Sequence, residues 1–179
     1  KTTDTTVKAT ELKALKELVD TLDATSIKTI TAAAADVAAD VAAAAAAAPT
    51  ANVTITGSIL AADASAIAKE TTGVLTATIT EATAGELKDL TTNTSDILAL
   101  TVTDGVAAGI VALLEKTGGK IKVNSGTVEG SIEDLTSIYV TNKAKFEGLG
   151  NETVTISGGE VSAAQLNAIA AATTGKVTA

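Results

Sequence analysis

Two stretches of the chain, GSILAADASAIAKETTGVLTA (57–77) and GEVSAAQLNAIAAATTGKVTA (159–179), repeat one another at a constant offset of 102 residues. Ile67 in the first stretch matches Ile169 in the second, and a Thr-Thr-Gly sequence falls at the same place in both. Self-similarity at a fixed period is the sequence signature of a repeat architecture. The repeated stretch is therefore the unit from which we expect the fold to be built.

The spacing of apolar anchors extends this repeat to the middle of the chain. Intervals of 23, 23, 22 and 34 residues separate Ile67, Leu90, Leu113, Leu135 and Ile169. Each unit begins with alternating apolar and polar residues, as in VLTATIT (74–80), which is typical of a strand. A short helix follows, opened by a capping box such as Thr83 with Glu86. The last, longer interval indicates an insertion around residues 142–151.

A strand, a helix and a second strand within about 23 residues place successive strands in parallel, and such crossovers are right-handed. We therefore predict one α/β domain over residues 1–179: a right-handed repeat solenoid with a parallel sheet on one wall and short helices on the other. The predicted strands of this single sheet lie near 53–56, 74–80, 97–103, 120–123 and 153–157. The predicted helices lie near 61–70, 84–92, 106–116 and 162–172.

Residues 1–52 are less regular than the repeats of residues 53–179. Residues 9–23 carry apolar residues on one helical face, which predicts a longer helix, and the Ala-rich residues 32–48 predict a second one. At the ends of the repeat helices we expect Gly73, Gly119 and Gly175 to adopt positive φ as C-caps.

Composition excludes many classes of function. The chain contains 37 Ala and 32 Thr, its only aromatic residues are Tyr139 and Phe146, and it has no Cys, His, Met, Trp or Arg. Zinc sites, thiol nucleophiles and Ser-His-Asp triads are thereby excluded. With a net charge of −8 and one Tyr we expect no nucleic-acid partner. We predict no enzyme, no catalytic residue and no cofactor.

Metal and membrane binding are also not predicted. Acidic residues near turns would suit Ca²⁺, but neither an EF-hand loop nor a glycine-rich nonapeptide is present. No apolar run approaches the roughly 18 residues that a membrane span needs.

Threonines recur at alternate positions on the predicted strands. If Val, Ile and Leu point inward, these Thr residues form ranks on the outer face of the sheet, and such ranks on a flat face suit ice or another regular surface. The other interpretation is that Thr is simply a good strand residue that keeps the face hydrated. The residues of the ranks are Thr54, Thr56, Thr76, Thr78, Thr80, Thr101 and Thr103.

The two ends of the chain are complementary. The beginning KTTDTTVKATEL and the end TTGKVTA together make about one repeat, and neither has an evident polar cap. An uncapped solenoid exposes unpaired backbone groups. We expect either a piece of a longer array or end-to-end stacking, in which residues 1–7 lie beside residues 176–179 of the next copy. The predicted interface residues are Thr5, Val7, Leu12, Lys176, Val177 and Thr178.

The motifs VSAAQLNAIAAATTGKVTA (161–179) and ILAADASAIAKETTGVLTA (59–77) resemble the Ala/Thr-rich repeats of long secreted or surface proteins of bacteria, notably cyanobacteria. The resemblance covers most of residues 50–179. In some of those proteins such repeats accompany calcium-binding nonapeptides, which this chain lacks. The resemblance implies an extracellular structural role.

These observations lead to one hypothesis and two alternatives. The hypothesis is a structural module of an extracellular filament, sheath or cell-surface protein, whose partners are copies of itself head to tail or adjacent repeats of a longer chain. The alternatives are a module that binds ice or another regular surface and a segment of a phage fibre.

Overall fold

The computed structural model describes residues 5–36 and 38–179 of a mixed α/β protein. The strands are β1 (Thr6–Lys8), β2 (Thr29–Ala33), β3 (Asn52–Ile59), β4 (Leu75–Ile79), β5 (Ile97–Val102), β6 (Ile121–Val123), β7 (Thr127–Gly130), β8 (Phe146–Glu147), β9 (Thr153–Ile156) and β10 (Val177–Thr178). The helices are α1 (Ala9–Leu18), α2 (Ala38–Ala47), α3 (Ala61–Glu70), α4 (Ala84–Leu87), α5 (Ala107–Ala112), α6 (Ile132–Thr136) and α7 (Ala163–Ala170).

The strands form two sheets rather than one. A seven-stranded, mostly parallel sheet contains β1 to β6 and β8, and a three-stranded sheet has the order β10-β9-β7. The prediction that residues 153–157 join the same sheet as residues 53–56 is therefore wrong. The insertion after Leu135 supplies β8, which pairs with β6, so β9 pairs with β7 instead.

The chain divides into two compact units, and residues 1–4 and 37 lie outside the part described. The first unit comprises Lys1–Thr80 and Leu90–Leu98, and the second comprises Glu81–Asp89 and Ala99–Ala179. The prediction of one domain over residues 1–179 stays a prediction.

In the first unit, strands and helices follow the same order. β1 pairs with β2, β2 with β3 and β3 with β4, all in parallel, while α1 packs on α2 and α2 on α3. Alternate strand residues point inward, so Ile30, Val53 and Leu75 are fully buried. The helices bury one face against them, as Leu12 and Ile67 show. Burying a side chain of this size contributes about 1.5–3 kcal/mol.

The N-terminal helices are shorter than predicted. α1 ends at Leu18 because Val19 takes an extended conformation, and residues 29–33, which overlap the predicted Ala-rich helix, form β2 instead. Thr29, Ile30 and Thr31 are β-branched and pair on both sides with neighbouring strands. This pairing outweighs the modest helix propensity of the two alanines that follow.

The second unit contains both aromatic residues of the chain. Tyr139 lies in a π-helical turn, Ser137–Thr141, and Phe146 begins β8; both are buried. α4 is a single turn, far shorter than the predicted 84–92, but it carries the predicted capping box of Thr83 and Glu86. α5 continues into a 3₁₀ turn at Leu113–Glu115. α7 likewise begins with a capping box.

The glycines after the repeat helices do not serve as positive-φ caps. Gly73, Gly119 and Gly175 are not among the glycines with positive φ in residues 5–36 and 38–179. The structure instead brings backbone close to two of them: a Cβ on Gly73 would lie 2.2 Å from the Ala51 carbonyl oxygen, and one on Gly175 would lie 1.9 Å from that of Glu152. Glycine is needed there for close approach, and the C-cap prediction is wrong.

Candidate functional site

Threonines of the first unit lie side by side across four strands. The parallel registers place Lys8 beside Thr31, Thr31 beside Thr54, and Thr54 beside Thr76. The flanking strand residues are buried, so this row lies on the outer face of the sheet. We call Thr31, Thr54 and Thr76 the threonine row. Lys8 continues the row at its edge with a charged side chain.

The next row of the same face is irregular. Thr56 lies beside Ala33, and a register shift between Thr54 and Ser58 then brings Ser58, not Thr56, beside Thr78. Gly57 accommodates the shift with a φ of 96°. Thr78 and Thr80 are exposed, and the Thr80 hydroxyl donates to the Ile59 carbonyl at 3.1 Å. Thr56 and Thr78 therefore do not form a second regular rank.

A depression further interrupts this face. Its volume is about 360 Å³, and its lining includes Lys8, Thr31, Asp36 and Thr56. Asp36 accepts a hydrogen bond from the Ala33 N–H at 2.8 Å. The face is thus neither flat nor uniform around the threonine row.

Two further predicted threonines lie in the second unit. Thr101 is half-buried and lies beside Lys122 of β6, while Thr103 follows β5 and is exposed. The adjacent lysine introduces a charge where a regular rank would need another threonine.

The predicted assembly residues of β1 lie at a strand edge. Within the described part of the chain, β1 pairs with β2 alone, and the Thr5 carbonyl accepts from the N–H groups of Lys28 and Thr29 at 2.8 and 3.0 Å. Val7 is half-buried. Leu12 is 0% exposed because it belongs to the core of its own unit, so its predicted place at an interface is corrected.

The predicted residues at the other end also lie at a strand edge. β10, with Val177 and Thr178, pairs only with β9 among the described strands. The Lys176 carbonyl accepts from the Val154 N–H at 2.8 Å. Val177 is half-buried, and Lys176 and Thr178 are exposed.

The backbone groups at these two edges have opposite parity. In a parallel ladder, alternate residues direct both their N–H and C=O groups to the same neighbouring strand. Because β9 bonds to the Lys176 carbonyl, the backbone groups of Val177 point to the open edge of β10. Because β2 bonds to the Thr5 carbonyl, the backbone groups of Thr6 and Lys8 point to the open edge of β1.

The repeated Thr-Thr-Gly motif has a structural role. The Thr173 hydroxyl donates to the Glu152 carbonyl at 3.1 Å and accepts from the Gly175 N–H at 3.0 Å, and the N–H and hydroxyl of Thr174 both donate to the Gly150 carbonyl. Thr71 and Thr72 make the equivalent bonds to Ala51 and Pro49. The motif thus satisfies carbonyls of a segment about one repeat earlier.

The sequence analysis missed a buried pair in the inserted segment. The Tyr139 hydroxyl donates to Glu152 Oε1 at 2.5 Å, and the N–H groups of Gly150 and Asn151 donate to Oε2 at 2.6 and 2.9 Å. A cavity of about 330 Å³ adjoins Tyr139 and is lined by Phe146. The only tyrosine of the chain, inside an insertion, was the signal that pointed to this region.

The pair has strongly perturbed proton affinities. Burial raises the pKa of the Glu152 carboxyl, but the hydrogen bonds from Tyr139 and the backbone outweigh burial and hold this pKa below its ordinary value. Burial and the neighbouring carboxylate raise the pKa of Tyr139. Both carboxylate oxygens already accept hydrogen bonds within the protein, so the arrangement is suited to holding the insertion in place.

Neither a metal cluster nor a membrane helix is found in the described residues. Across residues 5–36 and 38–179, no three acidic side chains come together in a way that could hold a metal ion. No helix in the same residues has both the length and the apolar character needed to span a membrane.

Comparison with known proteins gives no relative. No protein family, curated protein or solved structure matches this chain.

Proposed function

We propose that this chain is a structural module of an extracellular filament, sheath or cell-surface protein, which assembles by end-to-end stacking. The observation that carries the proposal is the pair of open parallel edges, β1 and β10, with complementary backbone groups. An edge strand that is neither covered nor blunted is a template for pairing with another chain.

The proposed architecture of the module is a right-handed solenoid of about 23 residues per coil. In the first unit, Thr6 pairs with Thr29 and Thr29 with Asn52, which are intervals of 23 residues, and Val53 pairs with Leu75 after 22. In the second unit, Val154 pairs with Val177 after 23. A constant interval between paired parallel strands supports a coil repeat, and the handedness follows the rule for such crossovers.

The junction between copies continues the same ladder. The Val177 N–H of one copy donates to the Thr6 carbonyl of the next, and the Lys8 N–H of the next copy donates to the Val177 carbonyl. This arrangement reproduces the bond that Val154 makes to Lys176. Contact between two different ends does not close on itself, so it propagates into a filament. The same edges would join adjacent repeats if the module stands in a longer chain.

Location and partners follow from composition and resemblance. The Ala/Thr-rich motifs of residues 161–179 and 59–77 resemble repeats of long bacterial surface proteins, which supports an extracellular or cell-surface site. A net charge of −8 limits lateral clumping of filaments while leaving axial pairing available. The proposed partner is a copy of the chain itself, and the proposal includes no enzymatic activity and no cofactor.

Lys8→Pro tests the proposal without disturbing the fold. Lys8 has a φ of −80°, which proline can adopt, and its N–H points to the open edge of β1. Lys8→Ala is the matched control, because it removes the same charge and keeps the N–H. We expect the unchanged chain and Lys8→Ala to form filaments by light scattering and electron microscopy, while Lys8→Pro remains monomeric.

Two results would overturn the proposal. One is an unchanged chain that remains a monomer at high concentration with the amides of Thr6, Lys8 and Val177 protected from hydrogen exchange. The other is a Lys8→Pro variant, folded by circular dichroism, that forms filaments as readily as Lys8→Ala.

A second candidate function rests on the threonine row. Thr31, Thr54 and Thr76 lie in register on three neighbouring strands, which supports binding to ice or another regular surface. The test is thermal hysteresis of the purified protein, with Thr54→Lys as the disrupting variant. Absence of hysteresis, or equal hysteresis in both proteins, would exclude ice as the ligand of this row.

A further inference from the structure

An exposed apolar patch lies at the end of α1. Leu15, Leu18 and Val19 are 45%, 84% and 43% exposed, and these three lie within five residues of one another. They belong to the apolar face that the sequence predicted to be buried. Leu12 of that face is buried within its own unit, so the face is wider than the core that one copy supplies. Clustered exposed leucines on an acidic protein indicate a contact surface.

Contacts on α1 and α2 establish which way the patch points. The Lys13 Nζ lies 2.8 Å from Asp40 Oδ1 of α2, so the residue after the core anchor Leu12 faces the following helix. Asp40 precedes the core anchor Val41, so the residue before an anchor faces the preceding helix.

The same relation holds in the second unit. A Cβ on Gly109, which precedes the buried Ile110 of α5, would lie 2.8 Å from the Cβ of Ala84 in the preceding helix α4. The rule therefore holds for two different pairs of helices.

Helix geometry then places the leucines on the unoccupied side of α1. At roughly 100° per residue, Leu15 and Leu18 lie roughly 200° and 140° around the helix from Lys13. They face away from α2, on the side where β1 has its open edge.

The corresponding open face of α7 carries small residues. Its anchor Ile169 is fully buried, so by the same rule Ala170 faces the position of a following helix. Ala163 and Leu166 lie on the same side at helical spacing. Ala163 and Ala170 are exposed, and Leu166 is half-buried. Two alanines beside a leucine leave room for large side chains from an adjacent helix.

We infer that Leu15 and Leu18 of one copy pack on the Ala163, Leu166 and Ala170 face of α7 in the next copy. This inference rests on the proposed end-to-end stacking and adds the side-chain contact that selects another copy of this chain as the partner. Backbone pairing alone would accept any open parallel strand. The large-to-small fit in the helix layer restricts the junction to a chain that carries both faces.

Two blocked variants test the contact. Leu15→Lys with Leu18→Lys blocks the α1 face, and Ala163→Lys with Ala170→Lys blocks the α7 face. We expect each variant to remain monomeric by analytical ultracentrifugation at concentrations where the unchanged chain forms filaments. Each lost anchor should raise the critical concentration by roughly thirtyfold or more.

Mixing the two variants gives the decisive result. Each retains the face that the other has lost, so an equal mixture should form a 1:1 dimer that cannot grow further. The controls are Thr10→Lys with Ala14→Lys on α1 and Ala164→Lys on α7, at exposed positions outside the proposed contact. These controls should still form filaments.

The outcomes separate this inference from the proposed function. If the unchanged chain forms no filaments, the proposed stacking itself fails. If it forms filaments that Lys8→Pro abolishes but the folded double-lysine variants still form, stacking stands and the helix contact is refuted. A mixture of two monomeric variants that gives no dimer also refutes the contact.

Discussion

The hydrogen bond between Tyr139 and Glu152 should be a measurable source of stability, and Tyr139→Phe removes only its hydroxyl. Both residues are almost completely buried, at 2% and 3% exposure. The variant keeps the ring that packs beside Phe146. It leaves Glu152 Oε1 without the donor that lies 2.5 Å away, while Oε2 keeps two backbone N–H donors.

The expected loss follows from the type of hydrogen bond. A bond to a charged group contributes about 1.5–3 kcal/mol, more than a neutral pair. Because the two backbone donors still stabilise the carboxylate, we expect the free energy of unfolding to fall by about 2 kcal/mol near neutral pH. For a chain of this length that corresponds to a decrease in Tm of about 4–8 °C.

The sign of the pH dependence provides a second test. The pKa of Glu152 is lowered in the folded state, so its contribution is present above its ordinary value of 4.5 and is lost as the pH falls through the folded value. Tyr139→Phe removes a bond that lowers this pKa. The variant should therefore begin to lose stability at a higher pH on acidification, and its difference from the unchanged chain should shrink below the folded pKa.

Urea unfolding followed by far-ultraviolet circular dichroism at several pH values measures both effects. Glu152→Gln and the double variant complete a double-mutant cycle, for which we expect a coupling of about 1 kcal/mol or more. Glu147→Gln removes an exposed carboxylate of the same segment and serves as the control. The reasoning is refuted if Tyr139→Phe costs less than about 0.5 kcal/mol near neutral pH, or if its cost does not change with pH.

Three further substitutions probe the core, the close backbone approach and the Thr-Thr-Gly motif. Leu87→Asp buries a carboxylate at a position that is 0% exposed and should cost several kcal/mol, whereas Thr103→Lys on the exposed face should cost about 0.5 kcal/mol or less; equal urea midpoints would contradict the inward and outward assignment. Gly73→Ala should lower the thermal midpoint because its Cβ would lie 2.2 Å from a carbonyl oxygen, while Gly126→Ala, with no atom within 4 Å, should leave it nearly unchanged. Thr173→Val removes a buried hydroxyl that donates one hydrogen bond and accepts another, so calorimetry should show a loss of about 1–3 kcal/mol, and a neutral result would mean that the motif does not stabilise the fold.

Local patterns in the sequence predicted the repeat elements well. Residues 61–70 form α3, and strands occur near the predicted positions, because alternating and helical periodicities reflect which side chains are buried. Capping boxes at Thr83 and Ser162 are present for the same reason: a cap is a bond between residues three apart. The two open edges also follow from local strand signals near each end of the sequence.

Tertiary structure decided what local patterns could not. Ala32 and Ala33 favour a helix by themselves, but pairing of β2 on both sides makes them a strand. The pairing of β9 with β7 depends on where the inserted segment places β8, which no periodicity encodes.

The assembly face shows the division most clearly. By itself, the sequence determined that α1 is amphipathic, because its apolar residues recur at helical spacing. Only the tertiary structure decided that Leu12 is buried in its own core while Leu15 and Leu18 remain exposed. The reason is that burial depends on which neighbouring helix covers each side, and α2 covers only one side of α1.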